Sequence, residues 1–226
     1  MRRRTFVSAS SLSAVGLVAP AAVSAQVTAP SRTTGDRDVP RHPQDAWYDT
    51  LVGKHRLFLD ATTSDEAGEA LGYAWNFLRA SQTGYNLKDA DQAVIVCLRH
   101  DATQFAFSND IWARYDVLKK EKYRHPDSGK KVKGGNIYRP GSTSPESLPE
   151  GFTWDGLAKR GVHFAICGVA TRGLASMIAG KGASREAVEQ VMDELVAALP
   201  ANAHLMASGI LATQRAAEYG YTVVKA

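Results

Sequence analysis

The chain has 226 residues, a formal net charge of +4 at pH 7 and two cysteines. This length suits one domain with a sizeable core, and two cysteines are too few for a disulfide framework. Three of the positive charges, Arg2, Arg3 and Arg4, lie together at the N-terminus with no acid nearby. The charge therefore gives little reason to expect a nucleic-acid partner.

The N-terminus has the pattern of a twin-arginine export signal. Adjacent arginines precede Phe6 and a weakly apolar stretch over residues 7–23, and the small residues at 23–25 form a site for signal peptidase. The alternative, a membrane anchor, requires about 20 predominantly apolar residues, whereas this stretch contains four serines and a proline. We predict that cleavage removes residues 1–25, lowers the net charge from +4 to +1 by removing three arginines, and leaves a periplasmic protein without a membrane span.

Two further segments have the composition of irregular structure. Residues 26–46 contain several prolines and charges and few apolar groups, which is typical of a flexible lead-in. Residues 119–156 are rich in Gly, Pro, Ser and Lys, and we predict that they form an insertion on the surface. The folded domain is predicted to cover residues 47–226.

Strand and helix patterns alternate through the predicted domain. Short apolar runs predict strands, and apolar side chains at helical spacing predict the helices between them. Five strands interleaved with helices predict a three-layer α/β/α sandwich with a mostly parallel five-stranded sheet. The strands are predicted at 55–60, 93–98, 162–167, 203–207 and 221–224, and the helices after an N-cap at Ser64, at 102–118, at 170–178, after an N-cap at Ser184, and at 210–218.

The residues that can carry chemistry follow the carboxyl ends of the predicted strands, where open parallel sheets bind ligands. His100 and Asp101 follow the second strand, Cys167 ends the third, and Ser208 follows the fourth. Cys167 leads into a helix, whose free N–H groups and dipole favour the thiolate form, and Arg172 adds positive charge nearby. The alternative is that Cys167 is a small buried hydrophobic residue, as most free cysteines are.

The other cysteine has a different setting. Cys97 lies inside an apolar strand, which favours an inert core residue. A Cys97–Cys167 disulfide is an alternative in an oxidising compartment, and it requires Cα atoms closer than about 7 Å. The sequence has no metal-ligand spacing and no nucleotide-binding glycine loop, so we expect neither a metal nor a cofactor.

The segment from Val162 to Ala226 contains three motifs: the strand, cysteine and Arg-Gly helix of 166–173, the strand and turn of 203–209 with the helix start at 210–214, and the closing 218–225. In these motifs it resembles the DsrE/DsrF-like family, which includes sulfur-relay proteins, and the segments 99–101 and 112–115 also resemble exported members. The resemblance implies the α/β sandwich derived above, a homo-oligomer, and a Cys167 that accepts a persulfide and passes it on.

Two functions follow from these observations. One is a periplasmic protein that handles sulfane sulfur through Cys167, with His100 in the same pocket and Arg172 or helix N–H groups stabilising the anion. The alternative is a non-catalytic oligomeric domain that binds a small ligand or a partner protein at the strand ends. The sequence leaves open whether the protein is an enzyme, and the helical Trp75 and Trp112 are candidates for the oligomer surface.

Overall fold

The computed structural model describes residues 40–119, 123–126, 128–132 and 135–226. The predicted export signal therefore lies outside the described residues. Among the described residues, no helix has both the length and the apolar character needed to cross a bilayer. The strands are β1 (His55–Ala61), β2 (Gln92–Leu98), β3 (Tyr123–Arg124), β4 (Lys131–Val132), β5 (His163–Cys167), β6 (Ala203–Met206) and β7 (Thr222–Lys225).

The α-helices are α1 (Trp47–Thr50), α2 (Ser64–Tyr85), α3 (Asn109–Arg114), α4 (Asp116–Lys119), α5 (Trp154–Lys159), α6 (Gly168–Ala179), α7 (Arg185–Ala197) and α8 (Gly209–Glu218). Short 3₁₀ helices cover Pro43–Asp45, Asp89–Asp91, His100–Ala106 and Glu150–Phe152.

Five strands form one parallel sheet in the order β6-β5-β2-β1-β7. The central strand β2 is buried at all seven positions, as expected for a strand covered on both faces. Helices α2, α5, α6 and α7 contribute to the core on one face, and α1 and α8 contribute to the core on the other. The predicted three-layer α/β/α sandwich is confirmed.

Local sequence explains where the helices begin. The N-cap of α2 is Thr63, one residue before the predicted Ser64, because the Thr63 side chain accepts from the Glu66 N–H and the Glu66 carboxylate accepts from the Thr63 N–H. This reciprocal pair is a capping box. Ser184 caps α7 by accepting from the Ala187 N–H, as predicted.

The predicted helix over residues 102–118 is wrong. The chain instead forms the 3₁₀ helix His100–Ala106, followed by α3 and α4. Ser108 interrupts the helical path because its backbone is extended and its N–H donates to the Ala198 carbonyl. The Trp112 indole N–H donates to the Gln104 carbonyl, and Trp112 is buried. Trp112 is therefore not an exposed residue for an oligomer interface.

The described part of 119–156 is only partly on the surface, because some of its residues are buried. Tyr123, Ile137 and Tyr138 are fully buried in the core on the α2 face. Asn136 is buried as well, and its amide donates to the Phe105 and Phe107 carbonyls. The Gly- and Lys-rich composition concealed these few aromatic and polar anchors, which tie the segment to the domain.

Of the predicted lead-in, the structure describes residues 40–46, and Pro43–Asp45 form a 3₁₀ helix. Asp45 is buried and accepts from the Arg215 guanidinium at 2.7 Å. Arg215 also donates to the Pro40 carbonyl at 3.0 Å. A buried ion pair between α8 and this segment therefore fixes the described start of the domain.

Candidate functional site

Cys167 lies at the carboxyl end of β5 and is the N-cap of α6. Its sulfur accepts a hydrogen bond from the Ala170 N–H at 3.4 Å, and the residue is 7 % exposed. The Thr171 hydroxyl donates to the Cys167 carbonyl at 2.9 Å. The sulfur is thus held at a helix N-terminus, where backbone N–H groups and the helix dipole favour a negative charge.

Gly168 fixes the position of this helix start. A Cβ atom at Gly168 would lie 2.6 Å from the Met206 carbonyl oxygen of the neighbouring strand β6. Since Cys167 and Met206 are register partners, only a glycine lets α6 begin this close to β6. The close contact between Gly168 and β6 therefore fixes the start of α6 and, with it, the position of Cys167.

An ion pair that we did not predict as part of the site lies at the same edge. Arg99 binds Asp60 through two hydrogen bonds of 2.8 Å, and these bonds raise the pKa of Arg99. The guanidinium interacts electrostatically with both Cys97 and Cys167. Gly209 at the start of α8 packs against the Arg99 side chain, where a Cβ would lie 2.4 Å from the Arg99 Cβ.

Cys97 differs from Cys167 in its environment. It is completely buried, and its thiol donates to the Gly209 carbonyl at a distance of 3.8 Å. Burial raises the pKa of Cys97 well above its usual value, so the neutral thiol is favoured. The prediction of a buried core residue is confirmed. Both cysteines are free, and the register partner of Cys97 is Ala165 rather than Cys167.

His100 and Asp101 stand at the end of β2 and are exposed. The His100 Nδ1 atom lies 3.1 Å from the Asp101 carboxylate, and His100 has a left-handed φ of 54°, which is uncommon for a residue with a side chain. Both residues line a cavity of about 530 Å³. The other lining residues are Gln104, from the 3₁₀ helix, and Ala170, Gly173, Leu174 and Met177, from α6.

Ala170 connects this cavity to the cysteine. Its N–H donates to the Cys167 sulfur, and the same residue lines the cavity beside His100. Cys167, His100 and Asp101 follow the carboxyl ends of the neighbouring strands β5 and β2, but the structure does not bring the sulfur into the cavity that His100 lines. Cys167 itself is not among the lining residues.

The other two predicted site residues have structural partners. Arg172 points to α7, where it makes hydrogen bonds of 2.8 and 3.2 Å to Glu189. Ser208 is the N-cap of α8 and accepts from the Leu211 N–H at 3.3 Å. Neither lines the cavity beside His100, so we omit both from the proposed site.

The described residues contain no group of three or more His, Cys, Asp or Glu side chains arranged to hold a metal ion. What the fold and the site define is a three-layer α/β/α domain with a cysteine that caps a helix at the carboxyl edge of its parallel sheet. Comparison of the chain with protein-family models, with curated proteins and with solved structures gave no match.

Proposed function

We propose that this chain is an exported, periplasmic DsrE-like protein that carries sulfane sulfur on Cys167. The observation that supports this most is the hydrogen bond from the Ala170 N–H to the Cys167 sulfur at 3.4 Å. A sulfur that already accepts from a helix N-terminus gains stabilisation when it becomes a thiolate or a persulfide anion.

The proposed step is a transfer of one sulfur atom from an organic persulfide. The Cys167 thiolate attacks the outer sulfur of the donor RS–SH, and a new S–S bond forms on Cys167. The bond between the two donor sulfurs breaks, and the thiolate RS⁻ leaves with its electron pair. Charge and electrons balance, so the step requires neither an oxidant nor a reductant.

The limited exposure of Cys167 determines which donors can reach it. With 7 % of the residue exposed, a compact donor has access and a bulky one does not. The cavity beside Ala170 is the proposed binding place of the donor, because His100 and Asp101 form its polar rim and the α6 residues form its apolar wall. This combination of an apolar wall and a few polar groups is common in small-molecule sites.

Intact-mass spectrometry after incubation with a small organic persulfide donor tests the proposal. We expect the mature protein and the Cys97→Ala variant to gain the mass of one sulfur atom, and Cys167→Ala to gain none. Cys97→Ala is the matched control because it removes the other thiol of the chain. No gain in the mature protein, or a gain that persists in Cys167→Ala, contradicts the proposal.

A second candidate function is the binding of a small ligand or a partner protein without chemistry. The cavity of about 530 Å³ beside His100 favours it, since such a cavity is large enough for a small organic molecule. Native mass spectrometry of protein purified from the periplasm tests this function. A retained ligand together with an unmodified Cys167 supports it, and a ligand-free mass together with sulfur loading contradicts it.

A homo-oligomer is part of the same proposal. Large apolar side chains remain exposed on the helices that follow β5 and β6, namely Val169 and Met177 on α6 and Ile210 on α8. Sedimentation velocity tests this: a species larger than the monomer is expected, and a monomer at all concentrations contradicts it.

A further inference from the structure

The amino ends of β5 and β6 carry two histidines that lie under an indole ring. His163 is the first residue of β5, and His204 is the second residue of β6. The His163 Nδ1 and His204 Nε2 atoms are 3.0 Å apart, and the two rings are nearly parallel, at 4°. Trp47 of α1 stacks on His204 with a centroid distance of 3.9 Å and an angle of 8°.

The hydrogen bond between the imidazoles limits their protonation. A bond between two ring nitrogens needs one N–H donor and one lone pair, and a neutral imidazole has one of each. One added proton preserves the bond, and the indole face stabilises the resulting cation. A second proton places two N–H groups against each other at 3.0 Å and brings two positive charges together.

The surroundings do not neutralise such charges. Among the described residues, no carboxylate lies within 4.0 Å of either imidazole. The neighbouring charged groups already have partners of their own. They are Asp45 with Arg215, Asp49 with Arg41, Asp89 with Arg160, and Lys159 with Glu150, and the phenol of Tyr48 stacks on the other side of Trp47.

Stacking holds the indole in place. The Trp47 indole nitrogen is buried, and none of the described residues forms a hydrogen bond with it. Trp47 contacts His204 and Tyr48, both with ring centroids 3.9 Å away. Tyr48 anchors α1 in the core, where its hydroxyl donates to the Ala212 carbonyl, whereas the Trp47 indole is held by its stacking contacts.

We propose that Trp47, His163 and His204 form a pH-sensitive latch, in which protonation of both imidazoles releases the Trp47 indole from the sheet. The proposal is independent of the sulfur chemistry, which lies at the opposite end of β5. Burial lowers the pKa of both imidazoles, and the nearby His163 lowers that of His204 further, to about 4. A histidine with a lowered pKa in the folded state stabilises that state fully above pH 6.5, and this contribution is lost as the pH falls towards 4.

Nuclear magnetic resonance of the ¹⁵N-labelled mature protein tests the latch. Between pH 6.5 and 4, we expect the Trp47 indole resonance, assigned with Trp47→Phe, to move towards its unfolded position and its protection from hydrogen exchange to be lost. The buried Trp154 indole, in the core on the other face of the sheet, is the internal control and should stay unchanged. In a His163→Phe/His204→Phe variant, which retains flat rings but cannot take up protons, the Trp47 resonance should not respond.

A Trp47 resonance that is constant over this range contradicts the latch, as does an equal response in the double variant. The imidazole resonances of the unmodified protein provide a test that needs no variant to fold. Two independent titrations at the ordinary histidine value near 6.5 overturn the proposal.

Discussion

The two ends of β5 show how one strand can serve opposite chemical purposes. At its carboxyl end, Cys167 accepts a backbone N–H, and the Arg99 guanidinium lies within electrostatic range. At its amino end, His163 bonds to His204 under an indole, without an ion-pair partner among the described residues. The carboxyl end is therefore built to stabilise an anion, whereas the amino end penalises the protonation of both imidazoles. This difference follows from chain direction, since helix N-termini follow the carboxyl ends of parallel strands.

The largest effect is expected from breaking the ion pair at the carboxyl end. Asp60→Ala leaves the Arg99 charge without its bidentate partner. Loss of one partner of a buried pair costs roughly 3–5 kcal/mol. We expect the lower end of that range, about 3 kcal/mol, because a quarter of the Arg99 side chain reaches water. Urea unfolding measures the change. The exposed Asp49→Ala, whose carboxylate lies 3.9 Å from Arg41, is the control and should change stability little.

A smaller effect is expected from adding a methyl group where α6 begins. Gly168→Ala places a Cβ 2.6 Å from the Met206 carbonyl, and overpacking of this kind costs roughly 1–3 kcal/mol. Gly173→Ala on the same helix is the matched control, because a Cβ there meets nothing within 4 Å. We expect the control to stabilise the protein by about 0.5 kcal/mol through reduced freedom of the unfolded chain. Equal thermal unfolding midpoints for the two variants would contradict the close contact between Gly168 and the Met206 carbonyl.

The two ends of the sheet should also lose stability at different pH values when the protein is acidified. Hydrogen bonds from Lys225 and Thr62 lower the pKa of Glu66 to about 2, against the burial that raises it. A carboxyl group with a lowered pKa stabilises the fold above pH 4.5, and that contribution is lost as the pH falls towards 2.

The urea concentration at the midpoint of unfolding, measured from pH 7 to 2.5, should therefore decrease over two separate pH ranges. The His163→Phe/His204→Phe variant should lose the fall between pH 6.5 and 4, and Glu66→Gln should lose the fall below pH 4.5. A decrease over a single pH range that is unchanged in both variants would contradict this prediction.

The smallest effects are expected at Arg172 and Ser208, which the sequence placed in the site. Ser208→Ala removes the cap of α8 at a cost of about 1 kcal/mol. Arg172→Ala removes an exposed ion pair with Glu189, and such pairs contribute little. Neither substitution should change the rate of sulfur loading by more than about twofold, measured by mass spectrometry of samples quenched at successive times. A tenfold loss at Arg172 would return it to the site.

The sequence predicted the strands because their apolar runs are continuous. The run from Ala93 to Leu98 is fully buried. In a chain where strands and helices alternate, a short continuous apolar run of this kind indicates a strand that is covered on both faces of the sheet. The end of β5 at Cys167 and the start of α6 were predictable because the apolar run of β5 is continuous and small residues follow it. The 102–118 helix failed because Phe105 and Trp112 sit in a 3₁₀ turn and a short helix on either side of Ser108, a break that helical spacing does not reveal.

Contacts between distant residues could not be predicted. Asp60 and Arg99 meet because β1 and β2 are neighbours, and His163 and His204 meet because β5 and β6 are neighbours. The strand order that creates both pairs is a property of the whole sheet. Arg99 had a local indication, since it directly follows β2 and precedes His100, at the edge where ligands bind.

The central claim is that Cys167, and not Cys97, carries sulfane sulfur. Peptide-resolved mass spectrometry tests it most directly, with the folded mature protein incubated with a small organic persulfide donor and the free thiols then blocked under denaturing conditions. The account predicts one added sulfur atom on the peptide that contains Cys167 and an unmodified thiol on the peptide that contains the buried Cys97. Sulfur on neither peptide, or equal loading of the two cysteines, would contradict it.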